Sequence, residues 1–216
     1  MVNRGQSPIS YRLAIFDFDG TLADSFPFFL GVFNELAAKH DFNPVKREDI
    51  QGLRALDAKQ IMAHVGLPAW KLPLVTKDFI ARMRANRDGV RLFDGIPQAL
   101  GALHASGMAV AVVSSNAYDN VLHVLGADSA RRVRHFECGM SMFGKRARLR
   151  KVLRKTGMVK EAAIYIGDQA TDLQAARAEG IAFGAVAWGY ADFRSLQDLG
   201  PDEAFAAVTE LTKLCA

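Results

Sequence analysis

Short apolar runs rich in β-branched residues alternate with longer segments in which apolar residues recur every three or four positions. After residue 90 this alternation is regular. A short continuous apolar run predicts a buried strand, and the longer periodic segments predict amphipathic helices. Strands that alternate with helices predict a parallel sheet with helices on both faces, so we expect an α/β fold with a doubly wound sheet. The predicted strands are RLAIF (12–16), AVAVV (109–113), HFEC (135–138), AIYIG (163–167) and FGAVAW (183–188).

The stretch after the first predicted strand departs from this alternation. The sequence SFPFFLGVFNELAAKH, residues 25–40, predicts a helix with Ser25 as its N-cap. Two further helical patterns follow, at 57–66 and 69–86, with no convincing strand between them. We therefore predict a small helical domain inserted after the first strand. The predicted domains are residues 22–93, here called the inserted segment, and a core of residues 1–21 and 94–216.

The composition is that of a globular protein with a sizeable core. The chain has 216 residues, and half of them are hydrophobic. The first ten residues lack the apolar stretch of a signal peptide, and no apolar run is long enough to cross a bilayer. The two cysteines, Cys138 and Cys215, show neither disulfide nor metal-ligand spacing. We expect a cytoplasmic protein in a reducing compartment.

Basic residues are concentrated in one part of the chain. The formal charge is +4, but residues 131–160 hold eleven Lys and Arg against a single acid, Glu137. Such a segment could attract an anionic partner. Leu149, Val152 and Leu153 recur at helical spacing within it, which favours the solvent-facing side of an amphipathic helix. No nucleic-acid-binding motif accompanies the basic residues, so nucleic acid is not the partner that we expect.

Polar residues capable of chemistry follow four of the five predicted strands. In an open parallel sheet, ligands bind outside the carboxyl ends of the strands, so we expect these residues to converge. They are Asp17 and Asp19, Ser114, Ser115 and Asn116, Lys145, and Asp168 and Asp172. Four carboxylates in one crevice repel each other, and a hard divalent cation with oxygen ligands relieves that repulsion. Mg²⁺ fits, because it leaves room for a substrate phosphate that the hydroxyl, ammonium and amide groups would bind.

Taken together, the motifs resemble the signature of the haloacid dehalogenase (HAD) superfamily. They are DFDGTLADS (17–25), the strand that ends in Ser114, Lys145, and IGDQATD (166–172). Their order and spacing and the position of the inserted segment all agree, and the similarity extends over almost the whole chain. The resemblance implies a Rossmann-like core with a helical cap of the C1 type, as in phosphoglycolate phosphatases and β-phosphoglucomutases. It also implies an enzyme, a phosphoric monoester hydrolase.

The same resemblance implies a role for each carboxylate. Asp17 would be the nucleophile that attacks phosphorus and forms an aspartyl-phosphate, and Asp19 would be the general acid and base. Asp168 would bind Mg²⁺ together with the Asp17 carboxylate and the backbone carbonyl of Asp19. Asp172 would orient Lys145 or water at the metal.

The phosphate-binding positions leave alternatives open. By resemblance, Ser114 and Lys145 would hold the transferring phosphoryl group, and Ser115 would contribute its backbone amide. Ser115 could instead supply the hydroxyl. Many relatives follow the lysine with Pro-x-Pro, whereas this chain reads GKRAR, so Arg146 or Arg148 could make the phosphate contact in its place.

The reaction implied is Mg²⁺-dependent hydrolysis of a small phosphomonoester, either phosphoglycolate-like or a sugar phosphate. Arg54, in QGLRAL, lies where related caps have a specificity loop and is a candidate for contacting this metabolite. Thr21 in DGTL resembles the phosphatase pattern of this superfamily, and that resemblance favours a phosphatase over the alternative, a phosphomutase of the β-phosphoglucomutase type. An alternative of another class is a non-catalytic scaffold that binds an anionic partner, but such a scaffold has no need of clustered carboxylates. We expect a monomer or homodimer without membrane association.

Overall fold

The computed structural model describes residues 11–54, 58–85, 87–139 and 144–215. The strands are β1 (Leu13–Phe16), β2 (Ala23–Asp24), β3 (Arg91–Leu92), β4 (Ala109–Val113), β5 (His135–Glu137), β6 (Ala163–Gly167), β7 (Ala182–Val186) and β8 (Glu203–Phe205). The α-helices are α1 (Phe26–His40), α2 (Ile50–Arg54), α3 (Ala58–His64), α4 (Leu72–Ala85), α5 (Ile96–Ala105), α6 (Tyr118–Ala130), α7 (Gly144–Thr156), α8 (Ala170–Glu179) and α9 (Phe193–Asp198). None of these helices combines the length and the apolar composition that a membrane span requires.

Six of the strands form one parallel sheet in the order β5-β4-β1-β6-β7-β8. The first strand lies inside the sheet, where Leu13 is in register with Ala109 of β4 on one side and with Ala163 of β6 on the other. The chain therefore extends the sheet in both directions from β1. This arrangement confirms the predicted doubly wound α/β fold and places the carboxyl ends of β4, β1 and β6 side by side.

The side chains of β1 alternate between two apolar clusters, one on each face of the sheet. Ala14 and Phe16 belong to a cluster completed by α5, α6 and the C-terminal 3₁₀-helix Val208–Cys215. Leu13 and Ile15 belong to a cluster completed by α7, α8 and α9. All four β1 side chains are fully buried. Burial on both faces explains why the central strands are continuous apolar runs rather than alternating ones.

The inserted segment has an apolar cluster of its own. Val32 and Leu36 of α1 pack there with Val65 and with Val75 of α4. At the base of this segment β2 and β3 pair antiparallel, with Ala23 opposite Leu92. The two ends of the helical insertion therefore leave the core next to each other. The division of the chain at residues 22–93 stays a prediction.

The start of α1 differs from the prediction. Ser25 occupies the N-cap position, but its side chain makes no capping hydrogen bond. The Ser25 hydroxyl instead donates to Oδ1 of Asp19 at 2.8 Å. The predicted position is confirmed and the predicted capping role is wrong, because the partly buried carboxylate of Asp19 competes for the same hydroxyl.

The edge strand β8 was not predicted. It has three residues, of which only Phe205 is buried, and it pairs with β7. A strand this short, with one buried side chain, has no periodicity that distinguishes it from a loop. It nevertheless completes the sheet on the side opposite β5.

Candidate active site

The carboxyl ends of the three adjacent strands carry the predicted polar residues. Asp17 directly follows β1, and its backbone N–H donates to Ile166 of β6 at 2.9 Å. Ser114 directly follows β4, and Asp168 directly follows β6. All three of these polar side chains are buried. The sheet therefore brings residues from distant parts of the sequence to one edge, as the strand-end pattern predicted.

Lys145 joins two of the carboxylates. Its Nζ lies 2.6 Å from Oδ2 of Asp17 and 2.5 Å from Oδ1 of Asp172. Burial opposes the charge of Lys145, but Asp17 and Asp172 more than offset this effect and hold its pKa above the ordinary value. Tyr165 of β6 donates its hydroxyl to the same Asp172 oxygen at 2.9 Å. The lysine is therefore a fully charged, positioned cation at the end of β1.

Asp172 is also tied to the backbone at the start of α8. Its Oδ2 accepts a hydrogen bond from the Gln169 N–H at 3.2 Å, as part of a reciprocal capping box. With Lys145 and Tyr165 on its other oxygen, both oxygens of Asp172 have partners. This carboxylate is therefore held rigidly and points toward Lys145.

Asp168 is held by the loop that follows β7. Oδ2 accepts from the Tyr190 backbone N–H at 2.7 Å, and Oδ1 lies 3.4 Å from the Thr21 hydroxyl. Gly20 packs directly against it, since a Cβ at that position would lie 2.5 Å from Oδ2 of Asp168. Gly20 also has a φ of 81°, a conformation that favours glycine. The glycine of the DFDGT motif is thus required by both space and backbone geometry.

The three buried carboxylates of Asp17, Asp168 and Asp172 could hold a metal ion. One oxygen of each lies within 4.8 Å of the others. Burial raises the pKa of Asp17, and the neighbouring Asp172 adds to that effect. Burial, followed by the charge of Asp172, raises the pKa of Asp168 to about 7. Carboxylates that repel each other in a buried place have the chemistry of a site for a hard divalent cation, so the donor set fits the predicted metal.

Asp19 faces a different environment from Asp17, although only Phe18 separates them in the sequence. Its Oδ1 accepts from the Ser25 hydroxyl at 2.8 Å, and its Oδ2 lies 3.4 Å from Nδ2 of Asn116. Burial raises the pKa of Asp19, and these two hydrogen bonds partly oppose the rise. Neutral partners on one carboxylate and a cation on the other explain how the two acids coexist at the end of one strand.

The two candidate serines are not equivalent. Ser114 is buried, and its Oγ accepts from the Asn116 backbone N–H at 2.9 Å. The neighbouring Ser115 is exposed. The hydroxyl closest to the strand end is therefore that of Ser114, and it lies in a tight turn between β4 and α6.

The three candidate cations of α7 point in different directions. Only Lys145 reaches the carboxylates. Arg146, whose side chain is largely exposed, bonds Glu179 at the end of α8 at 2.5 Å. Arg148 is buried and donates to the Ser114 carbonyl at 2.6 Å and also to the Gly139 carbonyl. Arg148 thus supports the turn behind Ser114, while Lys145 is the cation at the site.

Other basic residues of α7 are also paired rather than simply solvated. Lys151 and Lys155 each lie 2.7 Å from a carboxylate oxygen of Glu137 in β5. Arg150 shares Glu179 with Arg146. These ion pairs fasten α7 to β5 and α8, a use of the charges that helical periodicity alone did not reveal.

Arg54 ends α2, and its side chain lies outside the part of the chain that the structure describes.

Two tyrosines at the site were not predicted. Tyr165 is within an apolar strand run that predicts only core packing, and Tyr190 follows the last long strand in WGY. The position of Tyr190 beyond the carboxyl end of a strand was the available signal for it.

Comparison with known proteins identifies the class that this fold and site define. The profile of the family described as haloacid dehalogenase-like hydrolase matches residues 14–186. This match covers most of the chain and includes the aspartates at the ends of β1 and β6. The chain therefore belongs to the haloacid dehalogenase-like hydrolases, as its motifs predicted.

Several individual proteins of known name or structure are similar to this chain. Phosphoglycolate phosphatase of Synechococcus elongatus is 28% identical over 207 residues, which cover 92% of this chain and 98% of that protein. Tyrosine-protein kinase PtkA of Mycobacterium tuberculosis is 32% identical over 205 residues, which cover 88% of this chain and 66% of that protein. A haloacid dehalogenase-like hydrolase of Streptococcus pneumoniae has the same fold, with a TM-score of 0.83 at 20% identity over 94% of this chain and 98% of that one. The chain is a phosphoric monoester hydrolase of this family.

Proposed function

We propose that the chain is a Mg²⁺-dependent phosphatase that hydrolyses a small phosphomonoester through an aspartyl-phosphate on Asp17. The observation that carries this proposal is the pairing of a buried Asp17 with Lys145, 2.6 Å away, beside a separately held Asp19. A nucleophile must be ionised, and an acid must be able to hold a proton. Lys145 opposes the rise that burial and Asp172 cause in the pKa of Asp17, and a bound Mg²⁺ would oppose it further, which supports Asp17 as the nucleophile.

The first step would form one bond and break another. A carboxylate oxygen of Asp17 attacks phosphorus, and the bond from phosphorus to the leaving oxygen breaks. Lys145 lowers the cost of charge on Asp17 and would remain beside the transferring phosphoryl oxygens. The ammonium is held by Asp172, so it does not have to reorganise during the reaction.

Asp19 would move the protons. In the first step it gives a proton to the departing alkoxide, and in the second it takes a proton from the water that attacks the aspartyl-phosphate. That attack breaks the bond between phosphorus and Asp17 and releases inorganic phosphate. The raised pKa of Asp19, caused mainly by burial, suits a group that must alternate between two protonation states.

The metal would be held by the carboxylates of Asp17 and Asp168 and by the backbone carbonyl of Asp19. When bound, Mg²⁺ would neutralise the clustered carboxylates and part of the charge on the phosphate oxygens. The ion pair of Asp172 with Lys145 supports its role as the residue that positions this lysine. Thr21 and the Tyr190 backbone would keep Asp168 oriented.

The turn after β4 would also donate hydrogen bonds to the phosphoryl oxygens. The buried hydroxyl of Ser114 and the backbone amide of Ser115 are the donors that we propose, with Lys145 as the cation. Arg146 and Arg148 have other partners, Glu179 and two backbone carbonyls, which supports Lys145 in this role.

Phosphoglycolate is the first substrate to test. The supporting observation is the relative of that name in Synechococcus elongatus, which aligns over nearly its whole length. Sugar phosphates come next. Arg54 stays a candidate for the contact that selects the leaving group.

The test is release of inorganic phosphate from a panel of small phosphate esters, with and without Mg²⁺. We expect turnover that requires the metal and falls by more than about 10³-fold in Asp17→Asn, because the nucleophile is lost while the shape is kept. The matched control is Asp128→Asn, which neutralises an exposed carboxylate of α6 and should leave the rate unchanged.

Two results would contradict the proposal. Equal turnover by the wild type and Asp17→Asn would remove Asp17 as nucleophile. No phosphate release from any ester would exclude the phosphatase, and movement of phosphate between positions of a sugar would then identify the phosphomutase alternative.

A further inference from the structure

Each of the three residues 188–190, in the loop after β7, contacts a residue of the site. Trp188 donates its indole N–H to the backbone carbonyl of Thr21 at 2.9 Å. The backbone N–H of Tyr190 donates to Oδ2 of Asp168 at 2.7 Å. These contacts connect the end of β7 to the motifs that follow β1 and β6, so the loop is part of the site.

Gly189 allows the loop to lie directly on the site. A Cβ at this position would lie 2.1 Å from Cβ of Asp168 and 2.7 Å from the carbonyl oxygen of Gly20. Any other residue would push the loop outward, since both contacts are far inside van der Waals distance. Glycine at position 189 therefore lets the backbone approach Asp168 closely, and this close approach sets the position of the next residue, Tyr190.

The side chain of Tyr190 reaches the start of α1. Its hydroxyl is hydrogen-bonded to Oγ of Ser25, and its ring lies 5.3 Å from the ring of Phe26. The Ser25 hydroxyl in turn donates to Oδ1 of Asp19. Serine has one hydroxyl proton, and Oδ1 of Asp19 accepts it both in the ionised form and in the acid form with its proton on Oδ2. The Ser25 proton therefore goes to Asp19, and Tyr190 donates to Ser25.

The two oxygens of Asp19 are consequently held with different strength. Oδ1 ends the chain of hydroxyls from Tyr190 through Ser25, with a short final contact of 2.8 Å. Oδ2 has a contact of 3.4 Å from Asn116, which is long for a hydrogen bond. Within the described residues, Oδ2 is thus the oxygen with more freedom to exchange a proton.

We propose that Tyr190 is a positioning residue for Asp19: through Ser25 it fixes Oδ1 and so directs Oδ2 to the leaving oxygen of the substrate. This assignment rests on the proposed function, because it concerns the proton that Asp19 gives to the leaving group. Tyr190 itself touches neither the substrate nor the proton that is transferred.

The test compares leaving groups in Tyr190→Phe, which keeps the ring against Phe26 and removes only the hydroxyl. An alkoxide needs a proton to leave, whereas nitrophenolate leaves without one. We expect kcat/KM for the best alkyl ester of the panel to fall about 3- to 10-fold, the effect of one lost hydrogen bond. The kcat/KM for 4-nitrophenyl phosphate should change by less than about twofold, because this leaving group makes little use of Asp19. A general loss of folding would lower both values together.

Two further variants isolate the path through Ser25. Ser25→Ala should lower kcat/KM for the alkyl ester at least as much as Tyr190→Phe, and the double variant should be no worse than Ser25→Ala alone. Tyr11→Phe is the control, since it removes a phenol hydroxyl just before β1, at the opposite end of that strand from the site. It should leave both esters unaffected.

The outcomes separate this inference from the proposed function. Equal losses for both esters, no loss for either, or additive losses in the double variant would each overturn the role of Tyr190 while the phosphatase stands. A wild type that releases phosphate from neither ester would overturn the proposed function, and the assignment of Tyr190 with it.

Discussion

At the scale of single residues, the site depends on which partner each acid has. Asp17 has a cation at 2.6 Å, whereas Asp19 has a hydroxyl and an amide. Burial and the charge of Asp172 raise the pKa of Asp17, and Lys145 opposes that rise, so the charge that a nucleophile needs depends on this cation. Lys145 is the residue on which this contrast depends.

Replacing Lys145 by methionine should therefore lower kcat/KM for the preferred ester by about 10²- to 10³-fold. The variant keeps most of the side-chain volume but removes the positive charge that pairs with both Asp17 and Asp172. Arg146→Met is the matched control, because the neighbouring guanidinium is largely exposed and bonds Glu179 rather than a carboxylate of the site. A larger loss in Arg146→Met than in Lys145→Met would assign the phosphate contact to the arginine.

The pKa of Asp168 gives a prediction for metal binding. Without metal, burial raises this pKa to about 7. Below that pH Asp168 is protonated and must release its proton before it can act as a ligand. Affinity for Mg²⁺ should therefore fall by about tenfold for each pH unit below 7 through Asp168 alone, and Asp17, whose pKa is also raised, should steepen this dependence.

Titration calorimetry with Mg²⁺ over a pH series, in buffers of different ionisation enthalpy, measures both the affinity and the protons released. Asp168→Asn provides the comparison, since it should bind Mg²⁺ weakly at every pH. An affinity in the wild type that does not change between about pH 5.5 and 8 would mean that Asp168 is not a ligand.

At the scale of elements, α7 has two connected functions. Its first turn carries Lys145 to the site, and its later turns are fastened to β5 by Lys151 and Lys155. Burial alone would raise the pKa of Glu137, but its ion pairs with the two lysines lower it instead. Glu137 thus contributes to folding stability in its charged form.

Glu137→Gln should reduce the free energy of unfolding by about 1 kcal/mol near neutral pH, since the lysines are half exposed and partly screened. A carboxyl whose pKa is lowered on folding stabilises the protein above its ordinary pKa and ceases to do so as the pH falls through the lowered value. The difference between wild type and variant should therefore vanish in acid. Urea unfolding at a series of pH values measures this difference, and one that persists in acid would indicate a packing effect instead.

The elements also show what the sequence can predict. The strands β1 and β6 were predictable, because burial on both faces makes them continuous apolar runs. The geometry of a parallel sheet also predicted that the polar residues after these strands lie close together. The place of Tyr190 beyond a strand end was a signal for the site, but its role was not predictable, because that role arises from a contact with Ser25, 165 positions away. The ion pairs of Glu137 escaped prediction for the same reason.

At the scale of the whole molecule, the pairing of β2 with β3 has a consequence for the domain division. Asp24 lies opposite Arg91, so the chain leaves the core and returns to it at neighbouring positions. The apolar cluster that contains Val32 and Val75 is distinct from the two clusters that flank the sheet. If residues 22–93 form a domain, its helices should be removable without unfolding the core.

A variant in which an Asn-Gly turn joins Asp24 directly to Arg91 tests this, because two residues of this kind close an antiparallel hairpin. We expect cooperative urea unfolding and retained Mg²⁺ binding, since Asp17 and Asp168 remain. Turnover of the preferred ester should fall by more than about 10²-fold, because Ser25 no longer holds Asp19 and bulk water reaches the site. Removing α6 instead is the control, and it should unfold the protein because Val121 and Leu125 belong to the core of the sheet. If the joined variant unfolds as completely as that control, the inserted helices are integral to the core and the predicted division is wrong.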